Sequence, residues 1–380
     1  MAYDIAVVGA GVFGSWIAYV LQQAGCNVIL IDRYGAGNDR ASSGGESRII
    51  RMGYGADEIY SRWAADSLEC WKTIFAETND EMFYPTGVLS FAVKNNDQIV
   101  KTAATLKRIG IPFEDLSRAE LDRRYPQFDF GSVERAVLEP NGGAVSARRV
   151  VGLLIELCVR RGVQYKVDSV AMPVVPGKGL DHIVTGGGDR IVAHTFIFAC
   201  GPWLPKAFPE VLGQRLFITR QEEFFFRAPG RDSRFVPPAF PVWIETGEFY
   251  GFPDLAGKGI KIASDAHGPQ FDPDLGDRVT TEEGLNAVRN FIARRFPSLE
   301  GAPLIHSRVC QFENTSNGDF LIDKYPGTEN VWIVGGGSGH GFKHGPSIGK
   351  YVSDRVLKGG VGEERFHLLS KTTVKKRMVY

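Results

Sequence analysis

The 380-residue chain has no surplus of charge of either sign: 44 Lys and Arg stand against 44 Asp and Glu. Binding to nucleic acid or to an anionic membrane surface normally shows as a basic excess, so neither partner is expected. Cysteine is scarce. Cys26, Cys70, Cys158, Cys200 and Cys310 are odd in number, far apart and free of any CxxC pair. That pattern argues against a disulfide framework or a zinc site and for a reducing, cytoplasmic location. No apolar run reaches the roughly 18 residues of a spanning helix, since VVGLLIELCV is short and interrupted by Glu156. The opening MAYDIAVVGAGVFG is apolar but carries Asp4 and no basic lead, so it reads as strand and turn rather than as a leader peptide. The histidines form no HExxH or similar spacing and there is no GxSxG elbow, so no metal is expected. The basic runs at 294–296 and 375–377 read as solvated surface.

What is present is an ordinary soluble composition, 43% hydrophobic and 23% charged, with 45 glycines. At about 150 residues per domain the length suggests two to three domains. Residues 4 to 32 read as strand, glycine turn, helix and strand, and the first strand is apolar throughout, as a central parallel strand covered on both faces would be. Tyr60, Trp63, Ser67, Trp71 and Ile74 predict a helix over 57–75. VLSFAV at 88–93 predicts a strand, and 147–161 predicts a helix leading to strands at 163–167 and 194–200. From about 216 to 304 the texture changes to alternating strands, closed by a helix behind Thr280 and Thr281. VWIVGGG at 331–337 is a last apolar strand before a helix over 346–357. The expected architecture is α/β: a Rossmann-like dinucleotide domain from 1–85, 142–215 and 305–365, and a mainly antiparallel β-sheet substrate domain with helices from 86–141 and 216–304. Residues 366–380 are expected to form a C-terminal tail.

The GAGVFG turn carries its own mechanism: Gly9 permits the tight turn, Gly11 lets the backbone approach a pyrophosphate, and Gly14 allows close helix–strand packing. Asp32, at the end of the second strand, is placed to bind ribose hydroxyls. These residues alone do not separate NAD from FAD. In SSGGESRIIR (42–51), Arg48 and Arg51 share a face if the segment is helical and are split if it is extended. FACGPW (198–203) is a strand ending in a glycine turn. GGGSGHGFKHG (335–345) packs five glycines into seven positions, a density that implies backbone pressed against a planar ligand.

Together GAGVFG, SSGGESRIIRxxYG, FACGPW, FYGFP, the Lys261 of GIKIAS, the CxxENTSNGDFLID segment from Cys310, and SGHGFK resemble the monomeric sarcosine oxidase and N-methyl amino acid oxidase group of FAD-dependent amine oxidoreductases. Pipecolate oxidases and amadoriases share the pattern, which covers nearly the whole chain in order. The resemblance implies FAD, bound by Gly9, Gly11, Val12, Phe13, Gly14, Asp32, Arg33, Ser42, Ser43, Arg48, Cys200, Gly201, Trp203, Gly337, Gly339, His340, Gly341, Phe342 and Lys343. Cys310 lies where the group attaches the flavin through an 8α-cysteinyl thioether; read alone, it is a small buried hydrophobe. Arg51 and Lys343 match the pair that clamps the substrate carboxylate, Tyr250 of FYGFP lies in the substrate region, and Arg48 matches an arginine near the flavin ring. Lys261 matches the lysine that assists reaction with oxygen; otherwise it is a surface lysine.

There are departures. The sarcosine enzymes tend to have histidine where this chain reads Gly44-Gly45 and again at Asp265, and tyrosine at Phe312. The changes suggest a substrate bulkier than sarcosine or one with a second cationic group, unless Asp265 is a solvated loop carboxylate. The implied reaction is FAD-dependent oxidation of an N-methyl, cyclic or N-substituted amino acid to an imine, with oxygen reduced to hydrogen peroxide, by a monomer acting on a small-molecule amine. A dehydrogenase with another acceptor, an amadoriase-type oxidase and a non-catalytic flavin-binding subunit remain open.

Overall fold

A computed structural model of the chain describes residues 2–78, 80–93, 97–171 and 177–374; the basic run at 375–377 lies outside them. One sheet has the strand order Leu321–Lys324, Val331–Gly335, Arg190–Phe198, Tyr3–Val8, Val28–Asp32 and Gln164–Val167, with His182–Val184 pairing antiparallel to Arg190–Phe198. Tyr3–Val8 is central and parallel to both neighbours, as its unbroken apolar sequence predicts. Alternation sends Ile5, Val7, Leu30 and Ile197 to a core with the helices Val12–Gln23, Ala147–Arg160 and Gly345–Lys358. Ala6, Val8, Ile29, Ile31, Phe196 and Phe198 face the other way, onto Leu204, Phe208 and Leu212.

The second sheet has eight strands, in the order Leu304–Thr315, Leu216–Phe226, Ile260–Ser264, Phe249–Phe252, Val242–Glu245, Val88–Phe91, Arg135–Glu139 and Glu114–Ser117. Every pairing is antiparallel except Val242–Glu245 with Val88–Phe91. One face of this sheet, with Phe224, Phe226, Trp243, Ile260 and Ile262, packs on Val288, Phe291 and Ile292 of the helix Glu282–Arg295. Thr281 caps that helix by accepting from the Gly284 amide. A small sheet of Ser47–Ile50, Gly143–Ser146 and Phe83–Tyr84 completes the strands.

One open reading is decided and another is corrected. Arg48 and Arg51 are split, because the segment is the strand Ser47–Ile50 and not a helical turn. The basic run at 294–296 is not simply solvated surface. Arg295 is buried, and its guanidinium grips Glu245 in bidentate fashion, Nε to Oε2 at 2.9 Å and Nη2 to Oε1 at 2.6 Å, while Nη1 donates to the Asp129 carbonyl at 3.1 Å. The pair ties the helix to the end of the interior strand Val242–Glu245. Removing one member strands a buried charge, so Arg295→Met should destabilise the protein by about 3–5 kcal/mol in urea unfolding. Arg295→Met/Glu245→Leu should recover most of that loss. A single variant as stable as wild type would show that the pair is not needed.

Candidate functional site

The glycine turn after Tyr3–Val8 is forced by space. Gly9 has φ 103°, and a Cβ there would sit 2.4 Å from the Ala199 carbonyl oxygen. Gly14 faces the Gly9 carbonyl, where a Cβ would be 1.8 Å away, so its part is helix–strand packing, and it lies behind the cavity wall. Asp32 is spent partly on the turn itself: Oδ2 accepts from the Ala10 amide at 2.8 Å and Oδ1 from Tyr34 and Gly35 at 2.8 and 2.9 Å. Burial still raises its carboxyl above the usual range.

Above this turn opens a cavity of about 450 Å³, within the roughly 300–1,000 Å³ range of pockets that bury sizeable ligands. Gly9, Gly11, Val12, Phe13, Asp32, Arg33, Ser42, Ser43 and Arg48 line it from the first third of the chain. Cys200, Gly201, Trp203, Phe312, Gly337, Gly339, Gly341 and Phe342 line it from the later segments. Arg33 reaches the rim, pairing with Asp274 at 3.3 Å, and Trp203 Nε1 donates to the same carboxylate at 2.9 Å. The wall suits a dinucleotide. A Cβ on Gly341 would meet the Phe13 ring at 2.7 Å, and two buried polar atoms, Ser42 Oγ and Glu313 Oε1, have no hydrogen-bond partner. Burial pushes the Glu313 carboxyl up to about 8 against the opposing Gly336 and Gly337 amides, which favours its protonated, hydrogen-bond-donating form. FAD, with its many acceptor oxygens and planar ring, fits such a wall.

The remaining expected residues stand outside this lining, as a contiguous polar cluster at its Arg48 and Phe312 end. His340, expected to bind the cofactor, also stands there, buried against Tyr54 and the Gly318 carbonyl. The eight-stranded sheet builds the cluster by alternation. Its register pairs Gln221 with Cys310, Glu223 with Arg308 and Phe225 with both His306 and Lys261, while Phe252 opposes Lys261 and Tyr250 opposes Ala263. All these residues therefore share the face opposite the phenylalanine core.

Lys261 is no surface lysine; it is 1% exposed. Its ammonium donates to Glu223 Oε1 at 2.9 Å and to the Ser47 carbonyl at 3.4 Å, and it lies 4.8 Å from the centre of the Phe252 ring. Burial lowers it to about 8, against the pull of Glu223. Burial would raise Glu223, but Lys261, Arg48 and Arg308 outweigh it and hold the carboxylate at about 2. Arg48 Nη1 shares the same Oε1 at 3.2 Å, and its Nη2 stands 3.3 Å from the Cys310 sulfur. A second cleft of about 50 Å³ runs from exposed Arg149 and Lys258 down to Lys261, between Phe225, Phe252 and Leu255.

Arg51 and Lys343 converge on Tyr54. The Arg51 guanidinium lies 4.5 Å and the Lys343 ammonium 5.1 Å from the ring centre, and Lys343 donates to the Tyr54 hydroxyl at 2.7 Å and the His340 carbonyl at 3.0 Å. Burial first, and Arg51 second, hold the Lys343 amine well below the usual lysine range. Buried Glu139, fixed by the Met52 and Gly53 amides, is the counter-charge. Asp265 is not a solvated loop carboxylate. It is 6% exposed, accepts from the Gly247 amide at 3.1 Å, lies within electrostatic reach of Arg51, and is pushed up by burial. Tyr250 stands between, in reach of Glu223, Arg48, Cys310 and Asp265. Phe312 packs edge-on to His267 at 6.1 Å.

Sequence reasoning missed Tyr54, Glu139, Glu223 and Glu313. Tyr54 lay inside the RxxYG stretch, and Glu313 inside CxxENTSNGDFLID, but Glu139 and Glu223 had no signal apart from being acids in apolar strands. Among the described residues no helix is long and apolar enough to cross a membrane, and no cluster of ligands suited to a metal occurs.

The chain is 30% identical over 366 residues to monomeric sarcosine oxidase of Bacillus sp. (strain B-0618), covering 94% of this chain and 93% of that one. It is 27% identical over 361 residues to N-methyl-L-tryptophan oxidase of Yersinia pestis (strain Pestoides F), covering 93% and 94%. The fold superposes on the crystal structure of L-proline dehydrogenase from P. horikoshii with a TM-score of 0.84 over 97% of both chains, at 19% identity. A family model described as FAD dependent oxidoreductase matches residues 4–355, the span that holds both the glycine-lined cavity and the buried charge cluster. The chain therefore belongs to the FAD dependent oxidoreductase family.

Proposed function

We propose that this protein oxidises the secondary amine of an N-methyl, cyclic or N-substituted amino acid to an imine, and that oxygen takes the electrons and leaves as hydrogen peroxide. The observation that carries the reading is the convergence of Arg51 and Lys343 on Tyr54 at the Arg48 end of the cavity. A guanidinium fork and a second amine suit a carboxylate. A carboxylate brought to Lys343 also favours its charged form, reversing the effect of burial. Relatives named for sarcosine and N-methyl-L-tryptophan support the substrate class.

In this reading residues 1–85, 142–215 and 305–365 hold the cofactor and 86–141 and 216–304 cover the substrate; the protein works as a cytoplasmic monomer. Bound FAD supplies the chemistry, accepting a hydride equivalent from the carbon beside the amine. Arg51 and Lys343 fix the carboxylate, and with it the distance of that carbon from the acceptor. Tyr250 and Asp265 border the amine's substituent. No protein base is needed for an amine that arrives deprotonated. Lys261 stabilises the negative charge that develops on oxygen in a water-poor site. Cys310 is the attachment point for the flavin, its sulfur 3.3 Å from the Arg48 guanidinium.

The first test is anaerobic mixing with a panel of N-methyl, cyclic and sugar-modified amino acids while the yellow band is followed. At least one class should bleach the protein, and no bleaching by any member would sink the reading. In Arg51→Ala the concentration for half-maximal bleaching should rise roughly 100-fold for carboxylated amines; an unchanged value would remove the clamp. Acid-precipitated wild-type protein should stay yellow and Cys310→Ala should release its colour, whereas colour retained by the variant would place the linkage elsewhere. Lys261→Met should slow reoxidation by oxygen at least tenfold more than it slows reduction. Equal slowing, or less than one peroxide per amine oxidised, would point to a different acceptor.

A further inference from the structure

We propose that Glu223 is the positioning residue of Lys261: its carboxylate, wedged between Lys261 and Arg48, holds the ammonium in place for the step in which oxygen is reduced. The proposal rests on the reading of Lys261 given above. Glu223 and Lys261 are diagonal neighbours across the paired strands Leu216–Phe226 and Ile260–Ser264. Each side chain is 2% exposed, and they meet at 2.9 Å. The Lys261 stem lies against Phe252 and Phe225, its Nζ 4.8 and 6.0 Å from their ring centres. Its only other acceptor among the hydrogen bonds of the described residues is the Ser47 carbonyl, at a long 3.4 Å. Without Glu223 no other carboxylate among the described residues bonds the head group.

The charged and titratable groups around the pair come from four strands. Ser47–Ile50 supplies Arg48, and Leu304–Thr315 supplies Arg308, 3.8 Å from Glu223 Oε2, and Cys310. Phe249–Phe252 supplies Tyr250, held protonated by burial, and Leu216–Phe226 supplies Glu223 itself; Lys258 and Glu46, paired to each other, stand at the mouth of the small cleft. Burial and the Arg48 charge both disfavour a protonated Lys261, and Glu223 opposes them. In the step concerned, oxygen gains two electrons and two protons and becomes hydrogen peroxide. The electrons come from the amine oxidised in the preceding half-reaction, so the balance closes without another reagent. Lys261 contributes only while it carries its proton. Its pKa of about 8 sets the sign: the charge is complete below that pH and lost above it.

The test uses the yellow holoenzyme, reduced anaerobically by a bleaching amine and mixed with oxygenated buffer from pH 6 to 10. The wild-type reoxidation rate should fall through a break near pH 8. In Glu223→Gln the break should move to lower pH by at least about one unit, with a tenfold or greater loss at pH 8. Glu223→Asp, which keeps the charge, should restore most of the profile and covers the case in which the amide variant folds poorly. Azide titration of the oxidised enzyme, followed by the flavin band, gives a readout without turnover: affinity for this anion should be lost over the same pH range and shift with the same variant. An unmoved break and unmoved azide profile in Glu223→Gln would overturn the proposal while Lys261→Met still slows reoxidation. Unaffected reoxidation in Lys261→Met would instead reject the role of Lys261 itself.

Discussion

The site depends on one register, that of Leu216–Phe226 against Leu304–Thr315, where Gln221 opposes Cys310 and Glu223 opposes Arg308. Side chains alternate along a strand, so a slip of one residue would exchange the two faces. If Leu216–Phe226 slipped, Phe224 and Phe226 would enter the cofactor side, while Glu223 would be driven against Val288, Phe291 and Ile292, away from Arg308. Burying charges there without partners is prohibitive. The aromatic core beneath the helix Glu282–Arg295 thus does more than stabilise the sheet: it selects the single register in which Glu223, Lys261, Cys310 and Phe312 face one another.

Local pattern made much of this fold legible. An unbroken apolar run with glycines behind it predicts Tyr3–Val8 as a central strand, and Tyr60, Trp63 and Trp71 predict the helix Glu58–Phe75. The cavity wall was legible for the same reason, since a glycine that must admit a ligand or a tight turn is visible as a glycine. What escaped were long-range meetings of ordinary residues. Nothing in the EEFFF run says that its second glutamate finds Lys261, 38 positions away, and nothing near residue 295 shows that its guanidinium turns inward to Glu245. Asp265 stood open between loop and pocket because the deciding partner, the Gly247 amide, is set by the hairpin of Phe249–Phe252 with Ile260–Ser264. The split of Arg48 from Arg51 likewise follows from pairing with Gly143–Ser146.

The polar cluster solves one electrostatic problem twice. Around Arg48, two arginines and a lysine share a single carboxylate, leaving a surplus of positive charge beside the Cys310 sulfur. Around Arg51, Glu139 and Asp265 supply the negative charge, and Lys343 is driven toward its neutral form. The first half is therefore suited to charge that appears during a reaction, and the second to charge that arrives with a ligand. An anion that reaches Lys343 opposes the burial and the Arg51 charge that lower it, and so favours its protonated form.

In the proposed reading, Asp265 is the residue of the second half that bears on selectivity. Its carboxylate is anchored by a backbone amide and faces the guanidinium expected to receive a substrate carboxylate. A ligand bearing only a carboxylate must share Arg51 with this acid. A ligand that also carries a cation, or a hydroxyl-rich substituent able to donate hydrogen bonds, gives Asp265 a partner of its own and leaves Arg51 to the carboxylate. In the proposed reading, Asp265, together with Phe312 on the cavity wall, therefore favours amino acids whose nitrogen substituent is bulkier than a methyl group or carries a cation.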